Sequence, residues 1–116
     1  MNATFHFGLI LNALFFIFYG IQSLTSQMMT EEFRRFGLTD LQRKLTGVLQ
    51  LFGAAGMLTG LISPIVGFLS ACGFTAMMFM AFIVRIKIKD SVAQSVPSLL
   101  FMLMNAWLAL MFYNLL

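Results

Sequence analysis

Four apolar runs, at about residues 5–24, 45–62, 65–84 and 97–115, constrain this chain more than any other feature of it. Each approaches the ~20 residues that an α-helix needs to cross a hydrocarbon core. No water reaches backbone groups in that core, so a continuous helix, which pairs its own N–H and C=O groups, is the cheapest spanning structure. None of the runs alternates apolar with polar residues, which removes a membrane β-barrel. Hydrophobic residues make up 60% of the chain and charged ones 9%, and a soluble fold of 116 residues has too little interior to hide so much apolar surface. The expected fold is therefore an all-α membrane protein: one domain, residues 1–116, forming an antiparallel bundle of four transmembrane helices. The first run lacks a basic leader and is too long for a signal peptide, so it is read as the first span.

The charges give the expected orientation. Arg34, Arg35, Arg43 and Lys44 fall in the first connection, and Arg85, Lys87 and Lys89 in the third; together they are all seven Lys and Arg residues. With four spans these two connections share a side, and the positive-inside rule makes that side the cytoplasm. Loops 25–44 and 85–96 are then cytoplasmic, both termini lie outside, and the expected location is the plasma (inner) membrane of a bacterial cell. The basic residues border apolar runs, which argues for membrane orientation and against nucleic acid.

The connections differ in length. Ser63 and Pro64 alone separate the second and third runs, which predicts a tight antiparallel hairpin. In the first connection Thr30 is a candidate N-cap, with Glu31 and Glu32 in a first turn, Arg34 and Arg35 near the end and Gly37 as the stop. Phe33 and Phe36 give this short helix an apolar side, so it is expected to lie along the membrane surface. Thr39 and Gln42 have the spacing of a capping box that opens the second span.

Polar side chains inside a span carry the functional information, because each costs energy unless partnered. At helical spacing they form stripes: Gly8, Asn12, Phe15, Tyr19 and Gln22; Arg43, Thr46, Gly47, Gln50 and Ala54; Gly67, Ser70, Ala71, Phe74, Met78, Ala81 and Arg85; Ser98, Phe101, Asn105 and Phe112. These faces are expected to point into the bundle. Tyr19, Gln22, Thr46, Gln50 and Arg85 share the cytoplasmic third, where they would line an inward-opening pocket with Arg43 and Arg85 at its mouth. Asn12 and Asn105 lie deeper, either as interhelical glue or as ligand contacts. Gly53, Gly56 and Gly60 form a small-residue stripe suited to close packing, within the bundle or in a homo-oligomer. The ten Met residues read as filler, His6 has no Cys, Asp or Glu near it in sequence for a metal site, Cys72 reads as a packing residue, and Trp107 sits too deep for an interfacial belt and packs or stacks on a ligand. No span contains Asp or Glu, which removes the usual proton-coupling carboxylate, and no catalytic set or metal-ligand set can be assembled.

Phe16–Gly20, Phe33–Thr39, Leu45–Leu61, Ala81–Asp90 and Pro97 at the opening of the last span together resemble the DoxX-like family of four-helix membrane proteins. That resemblance implies membrane subunits of quinone-linked oxidoreductases, factors in quinone or oxidative stress, or assembly chaperones for receptors. It also implies a Glu where this chain has Gln50 and a His where it has Arg85, and a Gln cannot serve as a general acid or base. The function expected is a non-catalytic subunit or binding protein for a quinone-like or lipid-like molecule. Gln50 and Tyr19 would be its hydrogen-bond partners, Arg43 and Arg85 would face its head group, and a membrane or cytoplasmic protein partner would do any redox chemistry. The alternatives are a small drug-type transporter and a structural assembly factor that docks through the glycine stripe.

Overall fold

In a computed structural model, which describes residues 3–116, the chain forms five helices: α1 (Ala3–Thr25), α2 (Gln27–Arg35), α3 (Asp40–Thr59), α4 (Pro64–Lys87) and α5 (Val92–Leu115). The described residues contain no strand. α1, α4 and α5 are each long and apolar enough to cross a membrane. α3 falls short because its first two turns hold Asp40, Arg43 and Lys44 and its apolar stretch begins only at Leu45. Phe7, Leu14, Phe18, Phe52, Leu69, Phe79, Met80 and Leu110 are all more than half exposed on the outer faces. Apolar surface on that scale belongs in lipid; this is an all-α membrane protein.

α1 packs on α3, α3 on α4, α4 on α5, and α5 returns to α1. The core follows the helical period along α1, from Phe5 through Leu9, Ala13 and Phe16. It is completed by Ala54 and Met57 on α3, Ala71, Phe74 and Met78 on α4, and Leu108 and Phe112 on α5. Phe16 and Phe74 stack with ring centroids 3.8 Å apart, and Phe5 meets Phe112 edge-on at 5.1 Å. Glycines bring the backbones together. A Cβ on Gly20 would lie 3.0 Å from the Gly47 carbonyl, and one on Gly60 would lie 2.7 Å from the Gly67 Cα.

Several boundaries differ from the sequence reading, for local reasons. α2 starts four residues before the expected helix because Ser26, not Thr30, is its N-cap: Ser26 Oγ accepts from the Met29 N–H at 3.5 Å, while Thr30 Oγ1 donates to the Ser26 carbonyl. Gly37 does end it, at φ +80°, with Leu38 N–H bonded to Phe33 O and Gly37 N–H to Arg34 O, the paired bonds of a Schellman motif. The Thr39–Gln42 capping box is present in both directions, at 3.1 and 2.9 Å. Residues 60–63 make the α3–α4 turn, and Pro64 is the first residue of α4, where its missing N–H costs nothing. The third connection shrinks from the expected 85–96 to residues 88–91. α4 runs on through Lys87, and Ser91 caps α5 by accepting from the Gln94 N–H at 3.1 Å. Pro97 therefore lies inside α5 rather than at its opening.

Candidate functional site

α1 and α4 end where α3 and α5 begin, and the buried polar residues gather at that end. Apart from the Asn12–Asn105 pair, the buried polar side chains are Ser23, Arg43, Gln50, Ser95 and Ser98. Arg43 is 7% exposed. Its Nη1 donates to the backbone carbonyl of Ser23, and its Nε stands 3.8 Å from Asp40 Oδ1, too far for a hydrogen bond. Among the described residues three buried polar atoms have no hydrogen-bond partner: Arg43 Nε, Ser23 Oγ and Gln50 Oε1. Leaving such groups unpaired costs about 1–3 kcal/mol each, so each calls for an explanation. Arg43 and Gln50 are two turns apart on one face of α3, roughly 10 Å along its axis. They offer a cation with a free N–H and a free amide oxygen.

The other expected site residues are placed less uniformly. On α1 the buried face runs through Phe16, Gly20 and Ser23, not through Phe15, Tyr19 and Gln22. The close approach of Gly20 to Gly47 turns the helix so that Tyr19 sits to one side, 37% exposed, its ring 4.4 Å from that of Phe15. Gln22 is half-buried. Thr46 is also half-buried, and its hydroxyl donates to the Gln42 carbonyl of its own helix at 2.8 Å. Asn12 and Asn105 exchange amide hydrogen bonds at 2.9 and 3.0 Å. Asn12 Nδ2 also donates to Met57 Sδ, which ties α1 to α3 as well as α5, and Asn105 Nδ2 donates back to the Phe101 carbonyl of its own helix, so every amide hydrogen is used. Trp107 packs across Gly8, where an added Cβ would lie 3.0 Å from its ring.

Arg85 belongs to a cluster that the sequence reading did not find. The Asp90 carboxylate, 4% exposed as a side chain, accepts from Arg85 at 2.7 Å and from Arg35 of α2 at 2.9 Å. Arg35 also pairs with Glu32 at 2.7 Å. The Phe36 ring lies against both guanidiniums, at 5.2 Å from Arg35 and 4.9 Å from Arg85. Asp90 is positioned by the α4 terminus: Lys89 takes φ 57°, and the Asp90 N–H bonds back to the Arg85 carbonyl at 2.9 Å. The Arg35 guanidinium, with help from Arg85 and against partial desolvation, holds the Asp90 carboxyl below its ordinary range. Glu32 and then Asp90 push Arg35 upward. Asp90 and Arg35 therefore both stay ionised at neutral pH. The signal in the sequence was Asp90 itself, the one acid among three basic residues after the third run.

Two grooves mark the α4–α5 side. One, of about 360 Å³, runs from Asp90 past Phe82, Ile86 and Ser95 to Leu99; the other, of about 630 Å³, lies between Cys72 and Tyr113. Neither is lined by Gln50 or Tyr19. The stripe of Gly53, Gly56 and Gly60 faces Phe74, Ser70 and Gly67 of α4, so it is used in packing within the chain. Among the described residues no three His, Cys, Asp or Glu side chains group to hold a metal. The arrangement is suited to binding: it offers hydrogen bonds and one positive charge at the edge of an apolar core.

A model of the DoxX-like family matches residues 8–111 of the chain. No curated protein and no solved structure matches it.

Proposed function

This chain belongs to the DoxX-like family, and from that premise we propose that it binds a lipophilic molecule, quinone-like or lipid-like, without transforming it. The observation that carries the reading is the buried, unpartnered carbonyl oxygen of Gln50. An amide oxygen in that position is satisfied by a ligand hydroxyl, as a quinol or a lipid alcohol would supply. The free Nε of Arg43 and the hydroxyl of Ser23 would meet a carbonyl or anionic oxygen of the same head group. Tyr19, Gln22, Thr46 and Arg85 border this end of the helices and form the rest of the proposed binding region; Asn12 and Asn105 set its floor. Redox chemistry, as in the quinone-linked systems the family resemblance suggested, then falls to a partner protein.

The proposed topology is four crossings in the plasma membrane. α3 returns along α4 through a four-residue turn, which supports a fourth crossing with Asp40, Arg43 and Lys44 at headgroup depth. All seven basic side chains then face the cytoplasm. In a Cys72→Ser background, Lys89→Cys is expected to resist an impermeant maleimide on intact cells and to react after permeabilisation, with Asn114→Cys behaving in the opposite way. Labelling of Lys89→Cys from outside would reverse the topology.

The ligand reading is tested by mass spectrometry of lipophilic molecules that co-purify in a mild detergent. The wild-type protein is expected to carry a compound with a hydroxyl or carbonyl head group, and Gln50→Leu to carry at least fivefold less. A folded Gln50→Leu protein with the same extract as the wild type would overturn the proposal.

A further inference from the structure

α2 is attached to the rest of the chain differently from the other helices. It buries one side chain, Phe33, against the long stripes that hold α1, α3, α4 and α5. Its link to the α4–α5 corner consists of charge: Arg35 on Asp90, with Glu32 behind it and the Phe36 ring against the Arg35 and Arg85 guanidiniums. Asp90 is shared between two structures. It receives Arg35, and it lines the 360 Å³ groove between α4 and α5. α2 packs on α1 and α3, the helices that bury Ser23 and Arg43 at this end of the molecule. An element held by one apolar side chain and an ion-pair cluster opens at lower free energy than the packed helices around it.

We infer that α2 is a latched lid: the Arg35–Asp90–Arg85 cluster holds it closed over the polar end of the helices, and release of Asp90 admits water and ligand to the side chains buried there. The inference rests on the binding reading for its purpose, but its test does not involve a ligand. In a Cys72→Ser background, Ser23→Cys, fully buried on α1, against which α2 packs, reports access to that end through its rate of reaction with iodoacetamide, a neutral, water-soluble reagent. The rate is expected to rise at least tenfold when Asp90→Asn or Arg35→Gln is added. Arg34→Gln, which removes an exposed pair with Asp40 outside the cluster, should leave it unchanged. Should both latch variants lose their helical signal, Arg35→Lys decides, since it keeps the charge but loses the two-pronged contact with Asp90: a severalfold acceleration supports the lid and a flat rate overturns it. Rates within twofold of the parent in folded Asp90→Asn and Arg35→Gln also overturn it. Loss of the co-purified lipophile would refute the binding site and leave these rates untouched.

Discussion

Gly67→Ala is expected to lower the melting temperature of the detergent-purified protein by roughly 10 °C, while Gly73→Ala leaves it unchanged or slightly raised. The difference follows from what a Cβ meets. At Gly67 it would lie 2.4 Å from the Phe112 ring and 2.9 Å from the Gly60 Cα, whereas at Gly73 nothing lies within 4 Å. Phe112 is fully buried and is already in edge contact with Phe5, so its ring has no free direction, and the Gly60 contact is with backbone. The α3–α4 hairpin would have to spread at its turn, which overpacking data put at about 2–3 kcal/mol. Both glycines sit on apolar helices, so helix propensity predicts the same small gain at each; only the packing separates them. Equal melting shifts, measured by circular dichroism or by loss of monodisperse protein on heating, would refute the close α3–α4 approach.

The second large effect concerns the Asn12–Asn105 pair. Asn12→Leu is expected to cost about 1–3 kcal/mol, because it leaves the fully buried Asn105 amide with a donor and an acceptor unpaired. Asn105→Leu should cost a similar amount. The double variant should be less destabilised than the sum of the two, since no polar group is then stranded, and the cycle should show coupling of about 0.5 kcal/mol or more. Strictly additive costs would mean that the amides do not depend on one another. The comparison also separates glue from ligand contact: a purely structural pair leaves the co-purified lipophile of the Leu/Leu protein at the wild-type level.

The end of the molecule assigned to binding was legible only in part. Arg43 and Gln50 were found from their spacing on one helical face, and both are buried as that spacing implies. Tyr19 and Gln22 were assigned to the inner face of α1 by the same logic, yet that face runs through Gly20 and Ser23. A stripe at a period of 3.6 residues leaves two adjacent positions eligible at each turn, and the choice between them was made by the Gly20–Gly47 approach. Ser23 escaped notice because its importance lies in its carbonyl and in an orphaned hydroxyl, neither of which has a sequence signature. Asp90 escaped because its partner Arg35 lies 55 residues away.

Taken alone, the sequence determined that the chain is helical, apolar on its outside and asymmetric in charge. Those properties follow from the lengths of its apolar runs and the positions of seven basic residues, which are local quantities. It also determined the Thr39 cap and the Gly37 stop, because caps are set by residues within one turn. Only the tertiary structure decided which side of each helix faces inward, that the glycine stripe of α3 is taken up by α4, and that Asp90 joins α2 to the α4–α5 corner. These depend on contacts between residues distant in the chain, such as the approach of Gly20 to Gly47, which leaves no room for a Cβ.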